Sequence, residues 1–209
     1  MVELTRPHVS GTEGYAEQAE ALLERYESRS FLKIHGRVLP LLPNAPGRIV
    51  DIGAGTGRDA AGFAALGYDV LAVEPTQAMR ANAERLHPSP RIEWIDGSLP
   101  NLACLAGRQG SFHGVIMTDV WMHLDPQQRR AAMPNVARLL EPGGVLAISL
   151  RHGPVPKGRR MFQVSASETI DLANAEGLSM AYNMAGPTDP LGPPGVTGTQ
   201  LAFIKPNDH

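Results

Sequence analysis

Asp51-Ile52-Gly53-Ala54-Gly55-Thr56-Gly57-Arg58-Asp59 is the stretch on which the fold turns. It follows a short apolar, β-branched run, Arg48–Ile52, that reads as a buried strand. It leads into an Ala-rich helical stretch, Arg58 to Leu66, with Gly67 placed as its C-cap. Glycines in such a turn let the backbone come close to a ligand, and the amides of the following helix N-terminus favour anionic groups. The dinucleotide fingerprint would place its third glycine at position 58, where this chain has Arg58, so the spacing is G-x-G-x-G.

Outward from this turn, strand and helix patterns alternate. Asp69–Val73 reads as a strand ended by Glu74-Pro75, and Thr76 as the N-cap of a helix to about Leu86. Arg91–Ile95 and Val115–Thr118 are the third and fourth strands. Asp125-Pro126 opens a helix reaching about Leu140, which Pro134 is expected to kink or split. Gly144–Leu150 is a fifth strand, and Ser165 or Ser167 caps a helix to about Glu176, closed by Gly177. Leu178–Met184 and Thr199–Lys205 are the last two strands, separated by the Pro/Gly-rich loop AGPTDPLGPPGVTG. The alternation predicts a parallel sheet with helices on both faces. The last two strands, with no helix between them, must be antiparallel neighbours.

Upstream, residues 1–12 read as a mobile polar arm, and Glu13 to about Leu39 as a helical segment with Ala16, Ala19, Leu22, Leu23 and Tyr26 near a period of 3.6. Pro40, Pro43 and Pro46 end it. The organisation expected is one domain over 1–209, with a helical cap at 13–46 and a Rossmann-like core at 47–209.

Composition narrows the function classes. The formal net charge of −2 over 209 residues disfavours a general nucleic-acid partner, whose footprint is strongly basic. The single cysteine, Cys104, excludes an intramolecular disulfide and fits a cytoplasmic setting. Seven scattered histidines without Cys pairs or HExxH spacing predict no metal site. No run approaches the roughly 18 apolar residues of a membrane span, and MVELTRPHVSGTEGY has no apolar signal core.

Two acids stand at strand ends, where ligands bind in open α/β sheets. Glu74 lies about 20 residues after the glycine turn, where a carboxylate accepts bonds from ribose hydroxyls. Asp96 ends the third strand, where it can meet an adenine amine or simply serve the Asp-Gly turn. Asp51 can brace the glycine loop through backbone N–H groups.

Taken in order, VDIGAGTGRD (50–59), VLAVEPT (70–76), IEWIDGSLP (92–100), GVIMTDVWMHL (114–124) and LLEPGGVLAISL (139–150) resemble the class I S-adenosylmethionine-dependent methyltransferases. The resemblance covers roughly Arg48 to Arg151, and the strand plan extends it to Lys205. It implies a Rossmann-like α/β three-layer sandwich with a seven-stranded, mostly parallel sheet whose last strand is antiparallel. It also implies S-adenosyl-L-methionine as cofactor, with Gly53, Gly55 and Gly57 lining its methionine part and Glu74 holding the ribose, and Asp51, Ala54 and Pro75 are further cofactor-binding candidates. Asp96, Gly97 and Ser98 would lie by the adenine, and Thr118 and Asp119 would close the methionine end. One departure is Phe112-His113-Gly114-Val115, where many members carry an acid just before the fourth strand.

His123, after the fourth strand, is a candidate general base; packing under the adjoining helix is the alternative. Trp121 is a pocket wall or a packing residue. Arg151 and His152 open the densest positive stretch, RHGPVPKGRR (151–160), which reads as a clamp for an anionic substrate or as a solvated loop. Tyr15 lies on the N-terminal segment, which in related proteins often covers the pocket; core packing is the alternative. The expected activity is methyl transfer to an O, N or S atom of a small, anionic acceptor. A nicotinamide oxidoreductase, a non-catalytic binder of S-adenosylmethionine and an RNA or protein methyltransferase are the rivals, and Arg58 speaks against the first.

Overall fold

A computed structural model describes residues 9–186 and 194–207. Seven strands form one sheet in the order β3-β2-β1-β4-β5-β7-β6: β1 Arg48–Ile52, β2 Asp69–Val73, β3 Ile92–Ile95, β4 Phe112–Thr118, β5 Leu140–His152, β6 Ser179–Ala185 and β7 Thr197–Ile204. The pairs β1–β2, β1–β4, β2–β3 and β4–β5 are parallel, and β7 runs antiparallel to both β5 and β6. The α/β, Rossmann-like reading and the antiparallel last strand are therefore what the chain adopts. The middle of the loop joining β6 to β7, residues 187–193, lies outside the described residues, as do residues 1–8 of the expected arm.

The core follows from the pleat, which sends successive side chains of a strand to opposite faces. Val50 and Ile52 of β1 join Val115, Met117, Leu146 and Ile148 on one face, under Met133 and Val136 of α5 (Pro126–Ala137) and Ala173 of α6 (Ala166–Ala175). Ile49, Val70, Ile116 and Val145 point the other way, against Ala60 and Phe63 of α3 (Arg58–Ala65) and Val38 and Leu42. Both clusters are fully buried, so the central strands read as continuous apolar runs.

Several local expectations are corrected. The N-terminal segment is not one helix: α1 spans Ala19–Glu27 and α2 spans Phe31–His35, followed by a 3-10 turn at Leu39–Leu41. Ser30 has extended backbone and its hydroxyl accepts from Lys33 N–H at 3.4 Å, so it caps a new helix instead of continuing the old one. The fifth helix ends at Ala137, and β5 starts at Leu140, opposite Phe112, through an irregular register. Pro134 does not split α5; Asn135 Nδ2 donates to the Ala131 carbonyl at 3.1 Å beside it. Thr76 stands at the N-cap of α4 (Gln77–Leu86), but its side chain makes no capping bond.

Arg129 ties α5 to α6. It is almost wholly buried and donates to both carboxylate oxygens of Glu168 at 2.9–3.1 Å and to the Leu124 carbonyl at 2.6 Å. Removing it strands a partly buried carboxylate and an interior carbonyl. Arg129→Ala is expected to lower the unfolding free energy by about 3 kcal/mol in urea titrations. Glu168→Gln should cost less, because the Glu168 side chain keeps 30% exposure. A loss under about 1 kcal/mol for Arg129→Ala would show that α6 does not depend on this pair.

Candidate functional site

The turn after β1 is made by three glycines with left-handed backbone, Gly53 (φ 73°), Gly55 (φ 57°) and Gly57 (φ 86°). The Gly53 and Ala54 amides both donate to the Val73 carbonyl, at 2.8 and 3.1 Å, so the turn is fastened to the end of β2. A Cβ on Gly53 would come within 2.5 Å of Val120, and one on Gly57 within 2.7 Å of Trp94. At Gly55 the nearest neighbours would be 3.9 Å away, because it faces open space.

Glu74 completes the floor. Its two carboxylate oxygens accept from the amides of Gly55 (3.0 Å) and Thr76 (2.8 Å), and burial pushes its pKa up against these bonds. Asp51 is fully buried at the end of β1, and among the described residues its Oδ2 has no hydrogen-bond partner. Burial first, and the nearby Asp59 charge second, raise its pKa well above the usual carboxylate value, with Arg58 acting against them. For Asp59 burial also acts upward. There it is outweighed by His35 Nε2 at 3.0 Å and Arg58 Nε at 2.7 Å, which hold the carboxyl far below its ordinary range.

Above this floor opens a cavity of about 560 Å³, roofed by residues 9–29 and walled by the chain after β4 and β5. His123 closes a 3-10 turn (Trp121–His123) and is buried. Its Nδ1 lies 2.9 Å from the Arg160 carbonyl and its Nε2 3.0 Å from the Tyr15 hydroxyl. A carbonyl only accepts, so Nδ1 carries the proton and Tyr15 donates to the Nε2 lone pair. Burial lowers the His123 pKa, and Arg159 lowers it further against the pull of the Arg160 carbonyl. The Arg159 guanidinium lies 3.8 Å over the Tyr15 ring, and burial raises the Tyr15 pKa.

Asp119, with φ 56°, is held on three sides. Its N–H donates to Ser149 Oγ, the Ser149 hydroxyl donates back to Oδ1, both at 2.8 Å, and Arg29 pairs with Oδ2 at 3.1 Å. Arg151 faces the cavity with its guanidinium on the Pro154 carbonyl (2.9 Å) and beside Met161 Sδ (3.8 Å). Among the described residues it has no carboxylate partner.

Of the residues singled out by sequence, Tyr15, Asp51, Gly53, Ala54, Gly55, Glu74, Pro75, Gly97, Ser98, Thr118, Asp119, His123 and Arg151 share this cavity. Four do not line it. Gly57 turns toward Trp94 and caps α3. The Asp96 side chain is 44% exposed and lies 3.5 Å from Arg80. Trp121 is wholly buried in the core, because a 3-10 turn separates neighbouring side chains by about 120°, and here that turn gives His123 to the cavity. His152 follows Arg151 on a strand, so it points to the other face, where its Nε2 meets Thr199 Oγ1 at 2.9 Å. Arg29 and Met161 are cavity residues that the pattern did not reveal. The Ser28-Arg29-Ser30 break is the signal that marks the first of them.

Residues 49–144 match the family described as methyltransferase domain. Over that stretch the chain is similar to methyltransferase domains. An uncharacterized methyltransferase of Mycobacterium tuberculosis is 32% identical over 115 residues, covering 52% of this chain and 41% of its own length. This chain thus aligns with about two fifths of that relative. Among solved structures, a TehB-like S-adenosylmethionine-dependent methyltransferase from Corynebacterium glutamicum superposes with a TM-score of 0.70 at 18% identity, over 90% of this chain and 98% of that one. The 1,6-didemethyltoxoflavin-N1-methyltransferase of Burkholderia thailandensis, solved with that compound and S-adenosylhomocysteine, gives 0.71 at 17%, over 92% and 86%. At these identities the structures show a shared fold. The matched stretch contributes the floor and the wall after β4, while Tyr15, Arg29, Arg151 and Arg159 lie outside it.

His123 carries a directly measurable consequence. Its imidazole should titrate below about 6.5 in the folded protein, followed by NMR. The folded pKa is depressed, so between it and about 6.5 the unfolded chain binds the extra proton and stability rises with pH. In His123→Gln that slope of stability against pH should flatten; an unchanged slope would place the shift elsewhere.

Proposed function

We propose that the protein is an S-adenosylmethionine-dependent methyltransferase acting on a small anionic molecule. The observation that carries the reading is the floor of the cavity: an open left-handed Gly55 whose amide is held by a buried Glu74 carboxylate, beside an Asp51 oxygen without a partner among the described residues. These groups fit the cofactor's chemistry. Each Glu74 oxygen keeps a lone pair for a ribose hydroxyl, the Asp51 oxygen suits an ammonium donor, and Gly97 and Ser98 at the end of β3 border the same space. Thr118 and Asp119 bound it from β4. The family match over residues 49–144 supports the same reading.

The cofactor supplies a methyl group on a cationic sulfur, ready for in-line displacement. The chain's own contribution is positioning and exclusion of water, with a base where the acceptor must lose a proton. In this reading His123 is that base. It is neutral near pH 7, its Nε2 lone pair points to the Tyr15 hydroxyl, and the two groups stand together on the cavity wall. Charge orders the acceptor. The floor carries Asp51, Asp59 and Glu74 against Arg58, and the upper wall carries Arg25, Arg29, Arg151 and Arg159 against Asp119. A carboxylate or phosphate is therefore drawn to the upper wall, where Arg151 offers a guanidinium that, among the described residues, binds only neutral acceptors.

Calorimetry should detect S-adenosylmethionine or S-adenosylhomocysteine and no comparable binding of NAD; equal or preferred NAD binding overturns the reading. Gly55→Val should abolish that binding through its left-handed backbone and the side chain set in the ligand's path. Glu74→Ala should weaken it by about 1–3 kcal/mol.

The anionic acceptor is tested separately. Arg151→Met should raise the acceptor's KM at least tenfold and leave cofactor affinity unchanged. An unaltered KM would remove Arg151 from acceptor binding.

A further inference from the structure

His123 and Arg160 are joined reciprocally. The His123 Nδ1–H donates to the Arg160 carbonyl at 2.9 Å, and the Arg160 guanidinium donates back to the His123 carbonyl at 3.2 Å. The same guanidinium reaches Gln128 Oε1 and Asp125 Oδ2, both at 3.3 Å. Those two residues form the capping box of α5, in which the Asp125 carboxylate accepts from Gln128 N–H and the Gln128 amide oxygen accepts from Asp125 N–H. Arg160 also lies 4.4 Å over the Phe162 ring, and Phe162 N–H donates to the Met122 carbonyl at 2.8 Å. Arg160 is therefore not part of the cavity wall, unlike its neighbour Arg159.

We propose that Arg160 is a positioning residue: by clamping residues 160–162 to the turn that carries His123, it keeps its own carbonyl on Nδ1 and so fixes which ring nitrogen of His123 is free. An imidazole has two neutral tautomers, and the hydrogen bond at one nitrogen selects the state of the other. With Nδ1 committed to a carbonyl, only Nε2 can accept, and Nε2 is the nitrogen facing Tyr15. The carbonyl belongs to a loop whose neighbouring residues 153–158 are exposed and have no regular secondary structure. It holds its place through the Arg160 side chain and the Phe162 amide. The proposal gives RHGPVPKGRR a divided role: Arg151 and Arg159 face the cavity, and Arg160 anchors the loop outside it. Its catalytic consequence rests on the methyltransferase reading with His123 as base; the tautomer itself does not.

The experiment is long-range ¹H–¹⁵N NMR of the histidine side chains at neutral pH in the full chain, comparing wild type, Arg160→Met and Arg160→Lys. Wild type should show His123 as the Nδ1–H form. Arg160→Met should show a mixture of both tautomers, and Arg160→Lys, with one cationic donor, should recover most of the wild-type signal. Asp125→Asn keeps an N-cap oxygen for α5 and removes only the charge opposite Arg160, so it is the milder variant if Arg160→Met fails to fold. It should shift the tautomer ratio in the same direction. An Nε2–H form in wild type overturns the proposal, as does an unchanged tautomer in both Arg160→Met and Asp125→Asn. With an acceptor in hand, Arg160→Met should lower kcat about tenfold without changing cofactor Kd. If the tautomer shifts as expected and kcat does not fall, the positioning holds and the assignment of His123 as base fails.

Discussion

The bond from the Gly55 amide to the Glu74 carboxylate, with the Gly53 and Ala54 amides on the Val73 carbonyl beside it, is the joint on which the site depends. It fastens the exit of β1 to the exit of β2 at the carboxyl edge of the sheet, and it holds the left-handed backbone of the turn in place. Left-handed backbone at consecutive alternate positions is accessible to glycine without strain, and the two closely packed members, Gly53 and Gly57, also have no room for a Cβ. The same turn leads into α3, whose first residues Arg58 and Asp59 border the cavity. A buried carboxylate is costly, and here two backbone donors offset part of that cost while leaving acceptor capacity for a ligand.

The upper wall has a different physical character. It is assembled from parts far apart in the chain: Tyr15 and Arg29 before the sheet, Asp119 and His123 after β4, Arg151 near the end of β5 and Arg159 after it. Polar contacts join them in pairs, with Arg29 on Asp119, Tyr15 on His123, and Arg159 on the Glu13 carbonyl and the Gln18 side chain. The floor is thus bonded within residues 49–144, whereas the roof is bonded to it through side chains. This division suits a protein that keeps one part of its cavity constant and sets the other by its flanking segments.

Legibility followed periodicity. Strands buried on both faces, such as Arg48–Ile52 and Asp69–Val73, were readable as apolar runs stopped by glycine or Glu-Pro, and their bounds match the structure. The N-terminal helix was misread because the apolar residues resume at Phe31 after the polar run Glu27-Ser28-Arg29-Ser30, where the extended backbone at Ser30 turns the chain. Leu140 looked helical from its neighbours yet pairs with Phe112, since the end of α5 is decided by the sheet edge it must reach. Trp121 and His152 were assigned to the pocket by proximity in sequence to His123 and Arg151, but a 3-10 turn and a pleat send adjacent side chains in different directions.

What the sequence determined by itself was the order of elements, the glycine turn and the acid nineteen positions beyond Gly55, because these rest on local backbone preference and on periodicity along one segment. What only the tertiary structure decided was which side chains meet. The Tyr15–His123 contact spans 108 positions, Arg29–Asp119 spans 90 and His123–Arg160 spans 37. No local rule relates such residues; each contact exists because the sheet fixes the ends of distant strands within a few ångströms and burial then requires the polar groups gathered there to satisfy one another.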